Sequence, residues 1–356
     1  VPYYKPAEDS PEMQYLHERR KALNGYLPSR KPNHTPLEIP ALDVFEAQLK
    51  ASGDREFSTT MAFVRILGTL LKDKQIGKRI VPIVPDESRT FGMEGMFRQY
   101  GIWNPKGQQY TPQDADQLMF YKESESGQML QEGINEPGAM SSWIAAATSY
   151  ANSHYTMIPF YIYYSMFGFQ RVGDLAWAAG DLRAKGFLLG GTAGRTTLNG
   201  EGLQHEDGHS QIQADLIPNC VSYDPTYAYE VAVIIQDGLR RMFVEQEDVF
   251  YYLTVMNENY KHPALPERVN VKEDILKGMY LLQQADGSGH HKVQLMGSGV
   301  ILEEVMRGAE LLKQDFNIDA DIWSLTSFNL VNRDLQEVLR YNRLHQKKKK
   351  KVPFIT

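Results

Sequence analysis

Cysteine is nearly missing from this chain. Cys220 is the only one, which excludes an internal disulfide framework and fits a reducing compartment. Long apolar runs are missing as well: the longest, Ile158 to Phe169, is too short to span a bilayer and is interrupted by Pro159 and Ser165. No signal-peptide pattern is visible. Positive charge is not in surplus either. The net charge of −6 gives no general attraction to nucleic acid or to an anionic membrane. Phosphate-loop and dinucleotide fingerprints are lacking, since Gly194 and Gly200 are not followed by the Lys-Ser/Thr such a loop needs. What remains is the composition of a soluble globular protein, with 356 residues, enough for two ordinary domains or one large one. Nothing near Val1 resembles a domain start, so the chain is expected to be a piece of a longer polypeptide.

Along the chain, Asp9 or Ser10 can cap a helix that has Pro11 in its first turn and runs through Met13 to Leu23. Prolines at 28, 32, 36 and 40 then read as an extended linker. Helices are expected over Leu42–Leu49 and, capped by Ser58, through Leu71. Short apolar strands alternate with helices from there: strands at Ile80–Val84, Leu130–Ile134, Met157–Tyr164, Phe187–Gly191, Cys220–Ser222 and Val249–Met256, with helices at Gly138–Ala151, Phe169–Ala184 and Tyr227–Phe243. This alternation predicts an α/β fold, a parallel sheet with helices on both faces. Gly101 to Gln117 has no period and reads as a long mobile loop. After Asn257–Pro266 a second α/β unit starts, with a strand at Lys292–Gly297, a helix at Val300–Phe316 and a strand at Ala320–Leu325. One crossover is too little for a core of its own, so this unit reads as truncated. The Lys347–Lys351 run reads as a solvated tail or surface loop.

Chemistry concentrates at the carboxyl ends of the strands, where parallel α/β sheets bind ligands. Asp86-Glu87, Asn135-Glu136, Tyr164 to Phe167 and the loop Gly194–Ser210 all fall there. For Asp86-Glu87 alone, helix capping is the better explanation, and for Glu136 the two readings are even. The loop is different. It carries Glu201, Glu206, Asp207, His205 and His209 among glycines, and no capping role needs both histidines. His205-Glu206-Asp207-Gly208-His209 matches the H-E-x-x-H pattern of zinc proteases, which needs both histidines on one helix face. The surrounding glycines argue against a helix, so a zinc hydrolase built on His205 and His209 is the minor alternative. Cys220 lies in an apolar strand and reads as core rather than as a nucleophile.

Four separated stretches occur in a telling order: Asp86-Glu87-Ser88-Arg89-Thr90-Phe91-Gly92-Met93-Glu94-Gly95, Gln131-Glu132-Gly133-Ile134-Asn135-Glu136, Pro159 to Arg171, and Gly194 to Ser210. Together they resemble the homodimeric bacterial pyruvate dehydrogenases, the decarboxylating first components of pyruvate dehydrogenase complexes. The resemblance runs from the start of the chain to about Phe328; the tail from Leu330 onward matches poorly. It implies a transketolase-like, thiamine diphosphate-binding fold made of three α/β domains. Residues 1–36 would connect to a missing diphosphate-binding domain, 37–262 would be the aminopyrimidine-binding domain, and 263–356 the beginning of a C-terminal one. The resemblance further implies oxidative decarboxylation of pyruvate with reductive acetylation of lipoyl groups, linking glycolysis to the citric acid cycle. Implied partners are a second subunit and the lipoyl-bearing dihydrolipoamide acetyltransferase, in the bacterial cytoplasm, with neither nucleic acid nor membrane.

The same resemblance assigns roles. Glu136 matches the glutamate that hydrogen-bonds N1′ of the aminopyrimidine, and Phe167 the aromatic residue against which that ring packs. Tyr164 and His205 match residues that approach the bound pyruvate, with Glu201 beside His205. Asp86 and Glu87 would join the hydrogen-bond network around the aminopyrimidine, and Asp114 would belong to a loop closing over the site. The Gly-Asp-Gly…Asn-Asn signature that holds Mg²⁺ does not occur in this sequence, so the metal ligands are expected outside it and the piece alone is expected to be inactive. Pro137 departs from the family pattern but suits a first helical turn. Alternatives within the cofactor class are another thiamine-dependent 2-oxo acid dehydrogenase or a transketolase; outside it, an assembly module without activity.

Overall fold

The computed structural model describes residues 3–23, 25–26, 32–85, 88–113, 121–194 and 201–356. Its centre is a six-stranded sheet of β1 (Ile80–Val84), β2 (Leu130–Gln131), β3 (Ile158–Tyr164), β4 (Phe187–Gly191), β5 (Cys220–Tyr223) and β6 (Phe250–Thr254). The spatial order is β2-β1-β3-β4-β6-β5, and every pairing is parallel. The helices are α1 (Pro11–Ala22), α2 (Thr59–Leu71), α3 (Glu136–Ala147), α4 (Phe169–Asp181), α5 (Ser210–Asp215) and α6 (Ala228–Leu239), joined by several short turns.

The strands are apolar throughout because both faces are covered. Alternate residues of β3 go to opposite sides: Phe160 and Ile162 join the core that α2 and α6 close, while Tyr161 and Tyr163 join the one that α3, α4 and α5 close. Ser58 starts α2 by accepting the Met61 amide at 3.1 Å, which leaves Phe63, Ile66, Leu67 and Leu70 spaced along the buried face. Trp143 of α3 packs edge-on to Phe250 and donates its indole N–H to the Phe187 carbonyl at 3.0 Å. The strand order reverses between β1 and β3, and the crevice outside their carboxyl ends is where such sheets take ligands.

Several expected elements have different limits. The strand expected over Leu130–Ile134 ends at Gln131, because Gly133 turns at φ +77°. The next helix begins two residues earlier than expected, with Asn135 accepting the Gly138 amide at 3.2 Å. That change puts Glu136 inside the first turn of α3 and Pro137 beside it, where a missing amide costs nothing. The described part of the Gly101–Gln117 loop is tied down by a two-residue ribbon, Ile102–Trp103 against Glu123–Ser124. A short helix, Gly95–Tyr100, was not foreseen.

The C-terminal unit holds α7 (Val271–Lys277), β7 (Met279–Gln283), β8 (His291–Gly297), α8 (Ile301–Phe316), β9 (Ile318–Leu325) and α9 (Phe328–Leu344). Its sheet runs β7-β9-β8, with β8 parallel and β7 antiparallel to β9. The tail from Leu330 onward runs as part of the 17-residue helix α9 as far as Leu344. Ser327 caps it through the Leu330 amide, and Arg333 hydrogen-bonds Asp215 and the Cys220 carbonyl across the junction. Tyr280, Val300, Leu302 and Ile322 share the core of the larger sheet, while Met279, Leu325 and Val331 form a small buried cluster within the unit itself. The lysine run is an exposed loop whose last member, Lys351, is held by its backbone: its N–H donates to Asn342 Oδ1 and its carbonyl accepts from Asn342 Nδ2.

Candidate active site

Among the described residues, the candidate side chains follow the points where strands leave the sheet. At the end of β3 the chain makes a single tight turn, Ser165–Phe167, before α4. Gly168 permits it, because a Cβ there would lie 2.0 Å from the Tyr163 ring. Tyr164 and Phe167 thereby face the same side, their ring centroids 6.2 Å apart and nearly perpendicular. His205 comes from the segment after β4 and closes the corner, 4.7 Å from Tyr164 and 4.9 Å from Phe167, edge-on to both. The three rings form a corner into which a flat aromatic ligand could pack.

Glu136 is buried at the start of α3, and its Oε1 accepts from Arg171 Nη1 at 2.7 Å. The same guanidinium lies 4.3 Å over the Phe167 ring, so Arg171 links the carboxylate to the aromatic corner. Residue-by-residue reading of the sequence missed Arg171. Its only signal was its place in the first turn of α4, within the stretch Pro159 to Arg171.

Glu201 and His205 approach to 3.4 Å, oxygen to Nδ1, without hydrogen-bond geometry. Burial pushes the Glu201 carboxyl up from its ordinary range, and the nearby His205 pulls it partly back. The Thr192 hydroxyl also helps hold the Glu201 carboxyl down, while buried Glu201 Oε2 and His205 Nδ1 have no hydrogen-bond partner among the described residues. Thr192 directly follows β4, with φ +50°. Such a pair of unsatisfied polar atoms at a strand-end crevice is what a polar ligand or an ordered water would satisfy. The donor set and the aromatic corner therefore fit a small planar heterocycle with hydrogen-bonding edges.

The rest of the histidine loop has a different job. Asp207, fully buried, accepts the amides of His209 and Ser210 at 3.0 Å and the Ser210 hydroxyl, fixing the entry to α5. His205 ends a short turn, Leu203–His205, while His209 precedes α5 with its side chain exposed. The two histidines are not on one helix face, so the zinc-protease geometry does not form. Among the described residues no group of three or more His, Cys, Asp or Glu could hold a metal ion. Cys220 is buried in β5, and burial pushes its thiol far above the usual range, which suits a core residue. Asp86, Glu87, Asp114 and the front of the loop, residues 195–200, lie outside the described residues.

The family described as "Pyruvate dehydrogenase E1 component middle domain" matches residues 37–263, and "Transketolase-like TK C-terminal domain" matches 278–353. The chain is 62% identical over 355 residues to the pyruvate dehydrogenase E1 component of Pseudomonas aeruginosa and 59% identical over 357 to that of Escherichia coli. It spans all of its own length but only 40% of either relative. Among solved structures, transketolase of Campylobacter jejuni covers 81% of this chain, and 38% of its own is matched, at TM-score 0.57 and 18% identity. A split-gene transketolase, described as an inactive beta4 tetramer, matches 81% of this chain and 76% of its own at TM-score 0.51 and 14% identity. These distant structures speak for a transketolase-like fold alone. With most of its length matched by the first family and its sheet built as that fold requires, the chain belongs to the pyruvate dehydrogenase E1 component middle-domain family.

Proposed function

We propose that this chain is the aminopyrimidine-binding part of a thiamine diphosphate-dependent pyruvate dehydrogenase, active as a homodimer. The longer enzyme would decarboxylate pyruvate oxidatively and reductively acetylate lipoyl groups on an acetyltransferase component, in the bacterial cytoplasm. In this reading residues 1–36 connect to the diphosphate-binding domain, 37–262 form the aminopyrimidine-binding domain and 263–356 open the C-terminal domain. Mg²⁺ would be held by ligands outside this chain. The observation that carries the proposal is the buried Glu136 carboxylate, tied through Arg171 to the Phe167 ring at the sheet's switch point.

Thiamine diphosphate, when bound, supplies the carbon nucleophile and takes up the electrons that decarboxylation leaves behind. The chain's own residues bind and orient. Glu136 would hold a proton against N1′ of the aminopyrimidine, and Arg171 would keep the carboxylate aimed. Phe167 would pack against the pyrimidine face. Tyr164 and His205, edge-on at 4.7 Å, would offer donors to the pyruvate carboxylate and to charge developing beside it. Glu201, with its carboxyl pushed up by burial, would bias which His205 nitrogen carries the proton. Asp86 and Glu87 are proposed to join the cofactor's hydrogen-bond network, and Asp114 to lie in a segment that closes over the site.

The test is Glu136→Ala in the full-length enzyme, with pyruvate decarboxylation followed through an external electron acceptor. Loss of a positioned proton-transfer group should lower turnover by about 100-fold or more. Unchanged turnover would refute the assignment. Comparing pyruvate with longer 2-oxo acids on the same enzyme checks the substrate.

A further inference from the structure

The ring of Tyr164 is held between Phe91, at 5.3 Å, and His205, at 4.7 Å. Phe91 is fully buried, and Gly191 at the end of β4 makes room for it, since a Cβ there would stand 2.5 Å from the Phe91 ring. What orients the phenol oxygen is a residue given no role so far. Tyr164 Oη donates to Thr90 Oγ1 at 3.3 Å.

Thr90 is itself fastened from two directions. Its carbonyl accepts the Asn257 side-chain amide at 3.0 Å, and Asn257 lies just past the carboxyl end of β6. Its turn is closed by Gly92 N–H to the Arg89 carbonyl at 2.9 Å and Met93 N–H to the Ser88 carbonyl at 2.8 Å. Gly92 adopts φ +66°, a conformation that disfavours side chains. The backbone that carries the hydroxyl is therefore anchored on an exposed turn after β1, within reach of the end of β3.

A threonine hydroxyl both accepts and donates, and so does a phenol. In the observed arrangement the phenol proton points to Thr90. Rotation of the two hydroxyls reverses the bond: Thr90 then donates to Tyr164 Oη, and the phenol proton turns outward. No covalent bond changes, and each oxygen keeps its own proton. Valine in place of Thr90 could neither receive the phenol proton nor replace it.

We propose that Thr90 is a positioning residue for Tyr164, anchored by Asn257, whose hydroxyl takes the phenol proton at rest and returns a hydrogen bond when Tyr164 donates to the substrate carboxylate. This rests on the role proposed above for Tyr164, and the test separates the two. In the full-length enzyme, Thr90→Val should lower kcat/KM for pyruvate about 3- to 10-fold, the size of one ordinary hydrogen bond, and Thr90→Ser should restore it. Because Thr90 is exposed, Thr90→Val is expected to fold; Thr90→Ala serves as a second variant, with cofactor binding as the check on both. The decisive measurement is the double-mutant cycle with Tyr164→Phe. Thr90→Val should add less than about twofold once the phenol is gone. If Tyr164→Phe lowers kcat/KM but Thr90→Val costs the same in both backgrounds, or nothing in either, the Thr90 proposal is overturned. If Tyr164→Phe itself has no effect, the role of Tyr164 falls, and this inference with it.

Discussion

Single residues in this protein are placed by hydrogen bonds that sequence spacing does not reveal. His262 is a clear case outside the active site. Its Nδ1 accepts the Ala228 amide at the start of α6 at 3.1 Å, its Nε2 meets the Phe57 carbonyl at 2.8 Å, and its ring stacks on Phe57. Only the neutral ring with its proton on Nε2 satisfies both bonds. Burial lowers its pKa from 6.5 to about 4, and the Arg65 charge adds to that. Because the folded value lies below the unfolded one, the stabilisation is complete above pH 6.5 and is lost as pH falls toward 4, by about 3 kcal/mol in all. His262→Gln should therefore be less stable than wild type at pH 7.5, with the gap in urea midpoints narrowing toward pH 4.5. A gap that stays constant over that range would contradict the argument. In the candidate site, Glu136, Tyr164, Phe167 and His205 were named by the family resemblance, since strand-end position alone left Glu136 evenly split between helix capping and function. Arg171 and Thr90 were not legible, since an arginine in a first helical turn and a threonine on a turn are ordinary until their partners are known.

Elements were legible where pattern and capping agreed. The strands β3 and β4 and the helices α2 and α6 lie close to their expected limits, because continuous apolar runs and helical spacing leave little choice. Boundaries failed where one side chain overrode the pattern, as Asn135 did by starting α3 early. That cap also aims the first turn, and with it Glu136. Replacing Asn135 by Ala should destabilise the enzyme by about 1 kcal/mol and lower activity by more than that loss explains, because Glu136 would shift against Arg171. Thermal unfolding and turnover measured on the same variant would check both parts. A variant that keeps full activity while losing the cap's stability would separate the helix start from the chemistry. Helix α5 was missed because it is only six residues long, and its start is set by a buried carboxylate, Asp207, that reads in sequence as part of a metal-like motif.

For the whole molecule, the junction between the two sheets combines apolar packing with a buried polar centre. Glu230 of α6 accepts the amides of Thr226 and Tyr227 on one oxygen, and the Tyr280 and Ser324 hydroxyls, at 2.6 and 2.7 Å, on the other. Tyr280 lies in β7 and Ser324 in β9, so one side chain holds the C-terminal sheet to the larger one. Nearby, Asp224 accepts from Thr254 and Ser298, both at 2.5 Å. Glu230→Ala would strand four buried donors, a cost of about 3 kcal/mol or more. The expected outcome is easier proteolysis between residues 262 and 278, while cleavage elsewhere stays unchanged. Equal cleavage rates in variant and wild type would show that the apolar contacts suffice without Glu230.

The sequence alone determined the α/β class, the parallel sheet and the strand ends that carry chemistry, because burial on both faces imposes apolar strands, and glycine and proline mark where they stop. Four short motifs in order added the family. Tertiary structure decided what those signals leave open. The strand order β2-β1-β3-β4-β6-β5 makes the crevice between β1 and β3 the meeting point, and the bend at Gly168 turns Phe167 and Tyr164 toward His205. It also paired Glu136 with Arg171 across 35 residues of chain. The physical reason is common to all three. Periodicity and capping are local and are written in neighbouring residues, whereas a hydrogen bond or ring contact between distant segments depends on how the sheet is ordered and how closely the backbone can approach.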